Sequence, residues 1–120
     1  MTIRGRRCIV RLAQSAEDDY REIFRLTAEH FGHRQMRLYS SIIADTIDAL
    51  RDGRRASGVK DRKDISPGLL TLHVAQSRRE GRHILVFRID ERSDQPIVSV
   101  VRILHDSMDI MRHIQRAQEK

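Results

Sequence analysis

The sequence predicts an α+β fold in the order β-α-α-β-β-β-α, a helical hairpin packed on a mainly antiparallel four-stranded sheet. Three observations predict it. Apolar residues recur at three- and four-residue steps across residues 15–50, interrupted once by Gly32. Three aliphatic, β-branched runs follow at 69–74, 82–89 and 97–104, separated by polar stretches that hold Gly81 and Pro96. An amphipathic stretch at about 106–115 closes the pattern.

Each element has its own signal. Residues 7–12 contain Cys8, Ile9 and Val10 and suit a short first strand. Ser15 reads as the N-cap of the first helix, with Glu17 and Asp18 in the first turn opposing the helix dipole. Tyr20, Ile23, Phe24, Ala28 and Phe31 form its apolar stripe, and Gly32 can take the left-handed conformation that ends it. A second helix from about His33 carries Met36, Tyr39, Ile43, Ile47 and Leu50 and stops at Gly53. Two helices joined by so short a link pack antiparallel.

Residues 51–64 are hydrophilic and read as an exposed loop. Pro67-Gly68 punctuates the chain before strand 69–74, in which Leu70, Leu72 and Val74 share one face. A turn at 76–81 leads into strand 82–89, apolar on both faces and therefore central. After a turn at 90–96, strand 97–104 runs into the last helix. There Asp106 reads as N-cap, Asp109 as a first-turn carboxylate, and Met108, Met111 and Ile114 as the inward face. The first strand joins a sheet edge, and an open edge with a partly uncovered face invites a partner.

Composition bounds the function. At 120 residues the chain is read as one domain, 1–120, able to bury a single core. With 39% hydrophobic and 33% charged residues it belongs neither with membrane nor with disordered proteins. Aromatic residues are few and Trp is absent, so the core is aliphatic and a base-stacking surface finds little support. Basic residues exceed acidic ones by 23 to 17, and all but Lys60, Lys63 and Lys120 are Arg. The net charge of +6 favours acidic partners, whether RNA, DNA or an acidic protein segment. The single Cys8 excludes an internal disulfide and a cysteine-based zinc cluster, which fits a cytoplasmic setting. Residues 1–7 are basic, but only Cys8-Ile9-Val10 follow before Arg11, so neither a signal peptide nor a membrane span is expected there.

Candidate chemistry is sparse. His105, Asp109 and His113 follow at i, i+4 steps, yet ligands in a row on one helix diverge, so no metal and no cofactor is expected. No nucleophile elbow or phosphate-binding glycine loop occurs. A metal-free ribonuclease needs only a base, a phosphate-binding cation and an acid, and His73, Arg82, His83, Arg102 and His105 are candidates for it. The same residues are also explained as cross-strand pairs on a solvated sheet face.

Several segments carry a family likeness. They are Leu12-Ala13 with Ala16 and Asp19, Phe31-Gly32, Gln35 with Tyr39, and residues 64–69, DISPGL. The two specific ones are 81–88, GRHILVFR, and 102–114, RILHDSMDIMRHI. Together they resemble ParE-type toxins of the ParE/RelE superfamily of type II toxin-antitoxin modules. The resemblance implies the β-α-α-β-β-β-α fold and a non-catalytic toxin that poisons DNA gyrase. It implies a ParD-like antitoxin whose extended C-terminal part wraps the toxin while its N-terminal part binds operator DNA, so that the toxin meets DNA only indirectly. A role in plasmid stabilisation goes with that assignment.

RelE-like relatives on the same fold instead cut ribosome-bound messenger RNA, and a third possibility is an inactive relative that only binds antitoxin and regulates transcription. The closing string and the lack of Tyr in the C-terminal half lean toward ParE. Leu69-Leu70 directly after Gly68, where many relatives carry a basic residue, and the long turn at 76–81 are departures from the family pattern. Partner contacts are expected from Arg82, Arg102, His105 and Arg112.

Overall fold

The computed structural model describes residues 7–74 and 82–118. Its elements are β1 (Ile9–Leu12), α1 (Gln14–Ala49), a 3-10 turn (Leu50–Arg55), β2 (Lys60–Asp61), β3 (Leu70–His73), β4 (His83–Asp90), β5 (Ile97–His105) and α2 (Ile110–Gln118). The strands form one sheet in the order β1-β5-β4-β3-β2. β1 runs parallel to β5, with Ile9 opposite Ile97, and every other pairing is antiparallel. The sheet therefore has five strands rather than the expected four. The extra one is a two-residue strand in the stretch read as loop, where Lys60 pairs Thr71 and Asp61 pairs Leu70. The turn expected at 76–81 lies outside the described residues.

The helical hairpin is present as α1, broken at Gly32, whose φ of 89° and ψ of 170° no helix accommodates. A straight helix would hold residues 20 apart at about 30 Å. Instead the Tyr20 hydroxyl donates to the Ser40 carbonyl at 3.1 Å, so arms 14–31 and 33–49 lie side by side. The N-terminus differs from expectation. Ala13 is the cap residue and makes no side-chain cap bond. Its amide instead extends the β1 ladder to the Val100 carbonyl at 2.9 Å. Ser15 lies inside the helix and donates its hydroxyl to the Val101 carbonyl at 2.6 Å.

That bond belongs to a β-bulge. Val86 pairs with Arg102 and Phe87 with Val100, leaving Val101 of β5 without an opposite residue. A bulge frees ladder groups that must find other partners. Ser15 takes the Val101 carbonyl, and the Asp19 carboxylate takes the Ile103 amide at 2.8 Å. The first turns of α1 thus complete the edge of β5 beyond Val100, where its pairing with β1 ends.

Both sheet faces are covered. The α1 face buries Ala16, Ile23, Ile43 and Leu50 against Leu70, Leu72, Leu85, Phe87, Val98 and Val100. The other face buries Leu69, Val86 and Leu104 under Ile114 of α2. β4 contributes to both cores with Leu85, Val86 and Phe87 fully buried, as its two-sided apolar pattern predicts.

α2 begins at Ile110, four residues later than expected. Asp109 is its capping residue, accepting from the Arg112 amide at 3.3 Å. Asp106 sits in the turn before it, its amide on the Arg82 carbonyl at 2.7 Å and its carboxylate 3.3 Å from His73 Nε2. The later start sets the inward face by Ile110 and Ile114, an i, i+4 pair, so Met108 and Met111 are exposed rather than buried. Among the described residues no helix is long and apolar enough to cross a membrane.

Candidate functional site

Where β4 begins and β5 ends, the sheet meets the two arms of α1 around an open groove of about 710 Å³. His83 and His105 face each other across the β4–β5 ladder, which sets their rings edge to face at 5.4 Å. Tyr39, from the second arm of α1, closes the inner wall. Leu26 and Phe31 from the first arm line the outer wall, and Phe31 is 72% exposed although its spacing placed it in the inward stripe. Its position beside Gly32, at the hairpin bend, carries it past the sheet.

Hydrogen bonds fix the protons in this groove. The Arg82 amide, which can only donate, reaches the Tyr39 oxygen at 3.0 Å. The phenol proton is therefore available to His83 Nδ1, 2.6 Å away, and the neutral His83 ring carries its own proton on Nε2. Burial, reinforced by the neighbouring His105, holds the His83 pKa down to about 4. Burial also raises the Tyr39 pKa, so the phenol keeps its proton. His105 Nδ1 accepts from the Ser107 amide at 3.1 Å and lies 2.7 Å from the Ser107 hydroxyl. At physiological pH His83 and Tyr39 are thus both uncharged, flanked by the exposed Arg82.

The residues expected to bind partners do not converge. Arg82 and His105 share the groove. Arg102 is held by Asp19 in a two-pronged ion pair, Nε–Oδ2 at 2.8 Å and Nη2–Oδ1 at 3.0 Å. Arg112 is exposed on α2, across the sheet from the groove. Of the ribonuclease candidates, Arg82, His83 and His105 come together, whereas His73 belongs to the opposite face beside Asp106.

Sequence reasoning missed the role of Tyr39, which it read as part of a helical stripe and, with Gln35, as a point of family likeness. A tyrosine on an inward stripe was itself the available signal, because a buried phenol seeks a hydrogen-bond partner. Among the described residues no group of three or more His, Cys, Asp or Glu is placed to hold a metal ion.

Comparison with known proteins sets this architecture in a family. A family model described as the ParE toxin of type II toxin-antitoxin system, parDE, matches residues 10–110. No curated protein matches the sequence. Among solved structures, the chain is similar to one titled "Chromosomal ParDE TA system from P. aeruginosa". The TM-score is 0.66 at 15% identity, with 84% of this chain and 98% of that chain covered. At that identity the likeness is one of fold.

Proposed function

This chain belongs to the ParE toxin family of type II toxin-antitoxin systems, and we propose that it arrests growth by poisoning DNA gyrase until a ParD-like antitoxin sequesters it. The family match across residues 10–110 is the observation that carries this reading. Its action is non-catalytic and cytoplasmic, where gyrase works, and the module serves plasmid stabilisation. The antitoxin contributes an acidic segment, which suits a chain of net charge +6 whose cations are nearly all Arg.

The groove supports a macromolecular contact, since Leu26 and Phe31 stand exposed at its wall with Arg82 and His105 beside them. In this proposal Arg82, His105 and Arg112 touch partners directly. Arg102 contributes by holding α1 on β5 through Asp19.

The test is purified protein added to gyrase and plasmid, scored for blocked supercoiling or trapped cleavage, with antitoxin restoring activity. Intact gyrase activity together with cut ribosome-bound messenger would replace this reading by a nuclease. One observation favours that second reading: His83, His105, Tyr39 and Arg82 assemble in one groove the kinds of group that metal-free RNA cleavage uses. Neither effect, with antitoxin binding retained, would identify an inactive relative that acts only in operon regulation.

A further inference from the structure

β4 carries the groove at its first residue and a second concavity at its other end, about 20 Å away for the six residue steps from His83 to Ile89. This cleft of about 770 Å³ opens between the entry to β1, the 3-10 turn and the β4–β5 connection. Arg7, Arg51, Arg54 and Arg55 line it against two carboxylates, Asp52 and Glu91, which leaves a surplus of positive charge.

The cleft is built rather than incidental. The Cys8 amide donates to the Arg51 carbonyl at 2.8 Å, which pins the 3-10 turn to β1. Gly53, at φ 59° and ψ −131°, presses the same turn onto Cys8 and Ile89. A Cβ added there would lie 3.1 Å from Cys8 Sγ and 3.6 Å from Ile89 Cδ1, so the close approach requires glycine. The three arginines that flank Gly53 consequently line one concavity together with Arg7.

Their charges are available. Among the described residues Arg51 pairs with Asp48 and Arg54 with Asp61 at 4.0 Å, and all four of these side chains are more than half exposed, a class of ion pair that exchanges readily. Among the described residues Arg7 and Arg55 take part in no ion pair.

Two features decide the kind of ligand. The guanidinium fork matches phosphate oxygens in bidentate fashion. Among the described residues no aromatic and no exposed large apolar side chain lines the cleft, so they offer neither a stacking platform for bases nor an anchor for a peptide side chain. We propose that this cleft binds the phosphodiester backbone of nucleic acid directly and without reading sequence. That contact goes beyond the proposed function, which names gyrase and the antitoxin, and differs from the expectation that the toxin meets DNA only indirectly.

The experiment is fluorescence anisotropy of purified protein between about 50 and 200 mM salt, with three labelled probes: a 20-base-pair DNA duplex, single-stranded dT20 and polyglutamate. Each Arg–phosphate contact on a duplex adds about 0.9 to the slope of log affinity against log salt. The expected result is that R7S/R55S lowers the duplex slope by nearly 2. The control R34S/R37S removes the same charge from exposed positions on α1 and should leave the slope within about 0.5. Duplex or dT20 binding that responds in this way supports the proposal and decides which form is preferred.

Equal losses in both double variants would reduce the effect to diffuse attraction and overturn the site. So would tighter binding of polyglutamate than of either nucleic acid, or no nucleic-acid binding at the lowest salt. Gyrase inhibition is not the readout, so failure here leaves the toxin reading untouched.

Discussion

Replacing Asp19 by Ala removes one carboxylate that accepts three bonds: Arg102 Nε at 2.8 Å, Arg102 Nη2 at 3.0 Å and the Ile103 amide at 2.8 Å. The Asp19 side chain is 17% exposed and that of Arg102 23%, so neither orphaned donor regains full hydration. A hydrogen bond to a charged group contributes about 1.5–3 kcal/mol net. Breaking a fully buried ion pair costs about 3–5 kcal/mol. Discounting for the remaining solvent access, Asp19→Ala should cost about 2–3 kcal/mol. With a urea dependence of about 2 kcal/mol per molar for a domain of this size, the unfolding midpoint falls by about 1–1.5 M. Arg102→Met should cost a similar amount, and the double variant less than the sum of the two, since Met leaves no buried charge behind. A midpoint shift below about 0.3 M for Asp19→Ala, or strict additivity in the cycle, would refute this account of the bulge. The pair also separates two ways of losing toxicity. Arg102→Ala should lower stability and toxicity together, whereas exposed Arg82→Ala should leave stability within about 0.5 kcal/mol.

Three further outcomes follow from the geometry. His83 has a folded-state pKa near 4 against 6.5 for the free group, so its neutral ring stabilises the fold above pH 6.5. That contribution is lost as pH falls from 6.5 toward 4, because the unfolded chain takes the proton first. Unfolding free energies from urea titrations across that interval should decline by up to about 2 kcal/mol more in the wild type than in His83→Gln, after allowance for the ring's partial exposure. Gly32→Ala should destabilise by about 1–3 kcal/mol in thermal unfolding, although nothing lies within 4 Å of the added methyl, because φ of 89° with ψ of 170° is a glycine conformation. Ile114→Ala should cost about 2–4 kcal/mol and Met111→Ala under 1, as Ile114 is 3% exposed and Met111 41%; equal losses would contradict the placement of α2.

Periodicity carried most of the architecture. The helical stripes, the break at Gly32, the shared face of Leu70, Leu72 and Val74, and the two-sided burial of β4 are local patterns that water sorts by polarity. They are legible because each depends on neighbours within a few residues. β2 was not, since two polar residues carry no alternation and are recruited only because β3 offers an edge. The caps of α1 and α2 were misplaced for a related reason. Ser15 and Asp106 have the right chemistry for capping, but a closer partner in the fold, the Val101 carbonyl for one and His73 for the other, took each side chain.

The candidate site was half legible. The sequence by itself determined the elements other than β2, the excess of arginine and the family to which 81–88 and 102–114 point. Only the tertiary structure decided which of those residues meet. Tyr39 reaches His83 across 44 residues of chain and Asp19 reaches Arg102 across 83. The bulge at Val101 shifts the β5 register by one residue, beyond the reach of a pattern of period two. Elements arise from local spacing, whereas these contacts depend on register and packing among segments far apart in the chain. The protonation of His83 and the tethering of Arg102 therefore emerge only once the hairpin has closed on the sheet.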